Sequence, residues 1–168
     1  IRARGHHNDF ILISKGGPPR LDTMHTPRMS PDDMAGDLEL SLKTLGVDCI
    51  DIYFYHRDNT RVPVGELLET MEDFRRQGKI RYYGCSNWTS ERMEEAGEYA
   101  SAHGLRGFVA NQMLFNLGRR HMLPPADDTM VAMDARMEAL HRRGSCLAMP
   151  YYGLCSGFFH RLDAAGPE

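Results

Sequence analysis

The sequence predicts an α/β chain, a partial (β/α)8 TIM barrel of about five consecutive parallel βα units with the N- and C-terminal units missing. Three observations carry this. Short β-rich apolar runs alternate with segments of helical periodicity along the 168 residues. Several of these runs are apolar on consecutive positions, the pattern of a strand covered on both faces. Polar side chains recur at the carboxyl ends of the runs, where a barrel keeps its active site.

The β-rich runs fall at 10–14 (FILIS), 49–55 (CIDIYFY), 80–85 (IRYYGC), 108–111 (FVAN) and 146–151 (CLAMPY). The first helix opens at Ser30, which can cap free amides, followed by Pro31, Asp32 and Asp33, suited to the positive helix end. Met34, Leu38, Leu42 and Leu45 share one face, and Gly46 ends the helix. The second spans about 63–77, with Leu67, Leu68, Met71 and Phe74 inward and Gly78 at its end. The third spans about 90–103, with Met93, Ala96 and Ala100 inward and Gly104 after it. The fourth starts near Asp128, buries Met130, Met133, Met137 and Leu140, and ends at Gly144. Loops are expected at 16–29 and 118–127, and residues from His160 onward show no strong pattern.

The order β-α-β-α-β-α-β-α-β implies parallel strands with right-handed crossovers. A doubly wound dinucleotide fold would place GxGxxG after its first strand. Here Ser14-Lys15-Gly16-Gly17-Pro18-Pro19 stands there instead. The strand ends carry Lys15, His56, Ser86-Asn87, Gln112 and Tyr151, which favours the barrel. The repeat averages about 34 residues, and eight such units would need about 270. Residues 1–168 read as one incomplete barrel domain.

Composition narrows the function. Hydrophobic residues make up 42%, charged residues 26%, and the net charge is -3. No apolar run reaches the ~18 residues of a membrane span. The acidic balance disfavours nucleic acid, which demands clustered positive charge. Cys49, Cys85, Cys146 and Cys155 lack metal-ligand spacing and read as reduced, structural thiols, pointing to the cytoplasm. No metal site is expected.

Each strand-end residue also has a plain structural reading. Lys15 could be a solvated lysine, though the chain has only three lysines against seventeen arginines. His56 could be a satisfied core histidine, Asp51 a buried structural acid, Ser86-Asn87 a helix cap, Gln112 a polar strand end and Tyr151 core. The functional reading gains because all of them would project into one mouth.

The linked motifs FILISKGG, DLELSLKTLGVDCIDIYFYHRDN, GKIRYYGCSNW, ANQMLFN and PYYGLCSGFF, in that order, resemble the aldo-keto reductase family from Asp9 to Phe159. The resemblance implies an NAD(P)H-dependent oxidoreductase that reduces aldehydes or ketones, usually with NADPH. It implies that Lys15 and His56 belong to the catalytic tetrad, with Asp51 behind them as an acceptor. Lys15 would lower the pKa of a proton-donating tyrosine. His56 would orient and polarise the substrate carbonyl. Ser86, Asn87 and Gln112 would hydrogen-bond the nicotinamide carboxamide, Tyr151 would stack on its ring, and donors near Leu154 and Ser156 would meet the pyrophosphate.

The sequence also departs from the family. The tyrosine donor and the acid paired with the lysine would lie upstream of the lysine strand, and Tyr53 and Tyr55 are misplaced to replace them. Tyr152 and Gly153 differ from the usual Ser-Pro pair. An unclosed barrel would expose two sheet edges and an apolar inner face, so the segment alone is expected to be poorly stable or associating, with negligible turnover. Three alternatives stand: a non-catalytic nucleotide-binding regulatory or interaction subunit of the same fold, a barrel aldolase using Lys15 as a Schiff base, and a packing fragment without activity.

Overall fold

The computed structural model describes residues 9–118, 123–125, 127–144 and 146–165. Five strands alternate with helices: β1 (Ile13–Gly16), α1 (Pro31–Leu45), β2 (Ile50–Tyr55), α2 (Val64–Arg76), β3 (Ile80–Ser86), α3 (Ser90–His103), β4 (Ala110–Gln112), α4 (Ala135–Arg142), β5 (Leu147–Ala148) and α5 (Phe158–Ala165), with a 3-10 turn at Cys155–Gly157 before α5. The strands form one parallel sheet in the order β1-β2-β3-β4-β5. Each strand lies beside the next in sequence, so α1 to α4 are each a crossover between neighbours, as in a (β/α)8 barrel. The fold is a partial barrel of five such units. Among the described residues no helix is long and apolar enough to cross a membrane.

Local chemistry sets the helix ends. Ser30 accepts a bond from the Asp33 amide, and Gly46, at φ 67°, satisfies the Leu42 and Lys43 carbonyls in a left-handed cap. Thr89 caps α3 and Asp134 caps α4. The Asp134 cap corrects the expected start of α4 near Asp128. Asp127 instead accepts the Thr129 amide in a turn, and the helix begins only after Asp134.

Strand bounds differ in an instructive way. The run at 10–14 predicts a strand, yet β1 begins at Ile13, and Phe10 and Ile11 are exposed. Backbone pairing with β2 starts at Ile13↔Ile52, while the Leu12 amide is taken by the Asp51 side chain. β5 keeps only two residues of its predicted six. Helix α5 goes unpredicted because Phe158, Phe159 and Leu162 stay 36%, 41% and 57% exposed, so no fully buried stripe marks it.

The two faces of the sheet are unlike. Ser14, Tyr53, Tyr55, Tyr83 and Asn111 point toward the helices: their side chains bond Ser41, Met34 O, Leu67 O, Glu72, and His141 with Met137. The main core lies there, with Met34, Leu38, Leu67, Leu68 and Met71 fully or almost fully buried. Alternate residues, including Ile13, Lys15, Phe54, Tyr82, Gly84, Ser86, Ala110 and Gln112, face the other side, which is the barrel interior. A Cβ on Gly84 would meet the Phe54 ring at 2.5 Å and Ala110 O at 2.6 Å, so only glycine lets this layer close.

Candidate active site

Register brings the strand-end residues together. Lys15 lies beside Phe54, and the His56 amide donates to Gly16 O. Ser86 pairs with Gln112, and the Asn87 amide donates to Gln112 O. Lys15, His56, Ser86 and Gln112 thus share the inner face at the carboxyl ends of β1 to β4. Tyr151 follows β5 and reaches the same mouth, donating from its hydroxyl to Asn87 Oδ1 at 2.6 Å.

The electrostatics of the mouth favour neutral groups. Burial, then the Arg57 guanidinium and the Lys15 ammonium, hold the His56 imidazole down to about 4, while Asp127 pulls the other way. His56 is therefore uncharged at neutral pH. Its Nδ1 is buried without a hydrogen-bond partner among the described residues. Burial, then Arg57, also lowers the Lys15 pKa. Burial raises that of Tyr151. Burial likewise pushes the Cys146 thiol up to about 12, and all four cysteines are free thiols.

Asn87 holds a left-handed backbone at φ 60°, a strained state for a residue other than glycine. Its amide nitrogen donates to His56 O at 3.2 Å and Ser86 Oγ at 3.1 Å. Its Oδ1 accepts from Tyr151 and from the Val131 amide at 3.1 Å. Two donors and two acceptor sites are thus all used. In this arrangement Asn87 joins β2, β3, Tyr151 and the β4–α4 connection, and a nicotinamide carboxamide would have to exchange for one of these partners. The Gln112 carboxamide, in contrast, makes no hydrogen bond among the described residues.

Asp51 needs a correction. It lies at the amino end of β2 with the parity of Tyr53 and Tyr55, facing away from the interior. Its carboxylate takes the Leu12 amide at 2.9 Å and pairs with Arg81 at 3.3 Å. At ~3.3 Å per residue it stands about 16 Å of strand from His56, so it cannot act as that group's acceptor. Leu154 and Ser156 sit in the exposed turn before α5, where Tyr152, Cys155 and Ser156 all have positive φ. No described side-chain bond joins them to the mouth.

Sequence reasoning missed Arg57. Its side chain, only 15% exposed, donates to His56 O (3.0 Å), Thr129 Oγ1 (2.8 Å) and Asp127 Oδ2 (3.0 Å). The available signal was an arginine directly after a strand-end histidine, matched by the turn-forming Asp127-Asp128-Thr129 in a long connection.

The aldo/keto reductase family model matches residues 1–126. The chain belongs to the aldo/keto reductase family. Norsolorinic acid reductase B of Aspergillus parasiticus is 29% identical over 119 residues, 71% of this chain and 28% of that protein. A Schizosaccharomyces pombe protein provisionally named a voltage-gated potassium channel subunit beta is 32% identical over 118 residues, 68% of this chain and 34% of its own length. An aldo-keto reductase from Klebsiella pneumoniae, solved in complex with NADPH, shares the fold with a TM-score of 0.67 at 24% identity, over 92% of this chain and 46% of that one. The chain therefore spans about a third of these curated relatives and just under half of that solved aldo-keto reductase.

Proposed function

We propose that this chain supplies the lysine, the histidine and part of the cofactor wall of an NAD(P)H-dependent reductase of small aldehydes or ketones. The observation that carries this is the shared inward face of Lys15, His56, Ser86 and Gln112 at one strand-end mouth, with His56 held neutral beside two cations. The mouth suits a nicotinamide: among the described residues the Gln112 carboxamide is unbonded and His56 Nδ1 lacks a partner, and Ser86 is buried beside Gln112. The cofactor, NADPH by preference, would supply the hydride when bound. Ser86 and Gln112 would hold its carboxamide, Tyr151 would flank the ring, and the turn at Leu154 and Ser156 would offer amides and a hydroxyl to phosphate.

A neutral His56 donates a hydrogen bond to a carbonyl oxygen without delivering a full charge, and so orients the substrate. Lys15 provides the positive field that favours developing negative charge on that oxygen. Tyr53, Tyr55 and Tyr151 are not placed to hand on the proton. Tyr53 and Tyr55 point into the helix layer, and the Tyr151 hydroxyl is committed to Asn87. The donor is accordingly proposed to come from outside these 168 residues, whose own turnover would be negligible.

The test is a calorimetric titration of the whole protein with NADPH. Gln112→Ala should weaken binding several-fold, and absence of binding by the unaltered whole protein would refute the reading. Loss of reduced-nicotinamide absorbance on adding an aldehyde to the whole protein checks turnover. A second reading, a nucleotide-binding regulatory subunit, is favoured by the likeness to the protein named as a channel β subunit; it predicts NADPH binding without aldehyde-dependent oxidation. The Schiff-base alternative draws on the lowered Lys15 pKa. Borohydride trapping with a carbonyl compound would then label Lys15 and spare Lys43 and Lys79.

A further inference from the structure

Arg57 is assigned no contact with substrate or cofactor above, yet its side chain makes more polar contacts at the mouth than that of Lys15 or His56. Three of its nitrogens are bonded: one to the carbonyl of His56, one to Thr129 Oγ1 and one to Asp127 Oδ2. The receiving loop is itself braced. Asp127 Oδ1 accepts from both the amide and the hydroxyl of Thr129, at 2.9 and 2.5 Å. Two residues on, the Val131 amide reaches Asn87 Oδ1, and Asn87 returns to the same His56 carbonyl. The Trp88 indole donates to Arg57 O at 3.1 Å, fixing the backbone from below. His56 is thus held by its carbonyl between a side chain from β3's end and one from its own neighbour, and both are tied to 127–131.

We propose that Arg57 is a positioning residue: with Asp127 and Thr129 it fastens the β4–α4 connection across the ends of β2 and β3, and through that clasp it sets both the placement and the charge state of His56. The importance of His56 rests on the functional reading above, but the clasp itself does not. The fork matters because one guanidinium must reach three acceptors in different directions, which a lysine ammonium on a flexible stem cannot do as well. The charge matters because the groups facing His56 are few: Lys15 from β1, Arg57 beside it and Asp127 from the connection, with Tyr151 close to the latter two. Removing Arg57 leaves Asp127 uncompensated and favours imidazolium; removing Asp127 does the reverse.

The experiment uses the whole protein that contains these residues and three variants of it. Imidazole titration by NMR reports the charge of His56, and amide exchange at 129–133 reports the clasp. In Arg57→Gln the His56 midpoint should rise by roughly one pH unit, and exchange at Thr129 and Val131 should quicken tenfold or more, with α1 and α2 amides unchanged. Arg57→Lys should keep the low midpoint but still quicken exchange, separating charge from fork. Asp127→Asn should lower the midpoint and quicken exchange, and it carries the test should Arg57→Gln fail to fold. An unmoved midpoint in the folded variants, or unchanged exchange at 129–133, overturns the proposal. Neither measurement needs NADPH, so failure of the NADPH titration would sink the functional reading and leave this one standing.

Discussion

The same strands show two unlike faces. On the helix side, Tyr53, Tyr55, Tyr83 and Cys85 are completely buried. On the inner side, Ile13, Tyr82 and Leu147 are 38%, 40% and 63% exposed. Phe54 and Ala110 are buried on the inner face as well, so the trough opens at its edges and around Tyr82 rather than along its whole length. The helix side holds the fold together. The inner side carries apolar residues that its present neighbours do not cover, and at its upper rim the groups suited to chemistry. Stability and function are divided by parity along each strand, and by height along the inner face.

The largest test of that division is a matched pair of truncations. Leu68 lies on α2, fully buried in the helix-side core. Leu68→Ala should destabilise the chain by about 2–5 kcal/mol, from lost transfer energy and the cavity left behind. Leu147→Ala on the inner face should change it by less than about 0.5 kcal/mol. Urea titration of both variants measures the difference. Equal losses would mean that the inner face is covered in solution, by self-association for example, and sedimentation would then show it.

Much of this was legible in the sequence because helices announce themselves. Ser30, Gly46 and Gly104 end their helices where capping rules place them, and the apolar stripes of α1 to α3 are buried as their spacing requires, except Leu45 in the last turn of α1, which is 39% exposed. Strand parity was harder to use. An apolar run covered on both faces has no alternation to reveal which face a residue takes, so Asp51 and His56 read as partners although they face opposite sides. Lys15, Ser86 and Gln112 were readable because strand ends and parity coincide. The Asn87 and Arg57 networks depend on where a long connection returns, and no local pattern encodes that. The late start of α4 has a similar cause: Asp128 and Asp134 are both credible caps, and the turn at Asp127 decides between them.

A smaller effect should appear as pH falls. His56 has a folded-state pKa near 4, below the ~6.5 of an exposed imidazole. Below ~6.5 the unfolded chain binds a proton that the folded chain refuses, so stability should decline from pH 6.5 toward 4 and be unaffected by this group above that window. Solvent at the mouth screens the effect to about 1 kcal/mol. His56→Gln should remove this portion of the pH dependence, measured as urea midpoints from pH 7 to 4. A helix-side substitution such as Leu68→Ala should lower the curve without changing its shape, which ties this slope to the mouth.

The smallest effect is the most pointed. Asp51 bonds the Leu12 amide and an Arg81 that is 65% exposed, so Asp51→Asn keeps an acceptor for the amide and gives up a solvent-screened ion pair. The cost should be no more than about 0.5 kcal/mol. Because Asp51 lies at the amino end and on the helix side, NADPH affinity and the His56 titration should both be unchanged. A buried acid within reach of Lys15 and His56 would behave otherwise: neutralising it would lower the His56 midpoint and alter the charge offered to a bound ligand. Two measurements on one conservative variant therefore decide whether parity separates the two faces as the register implies. Movement of either would place Asp51 back at the mouth and undo the division of labour drawn above.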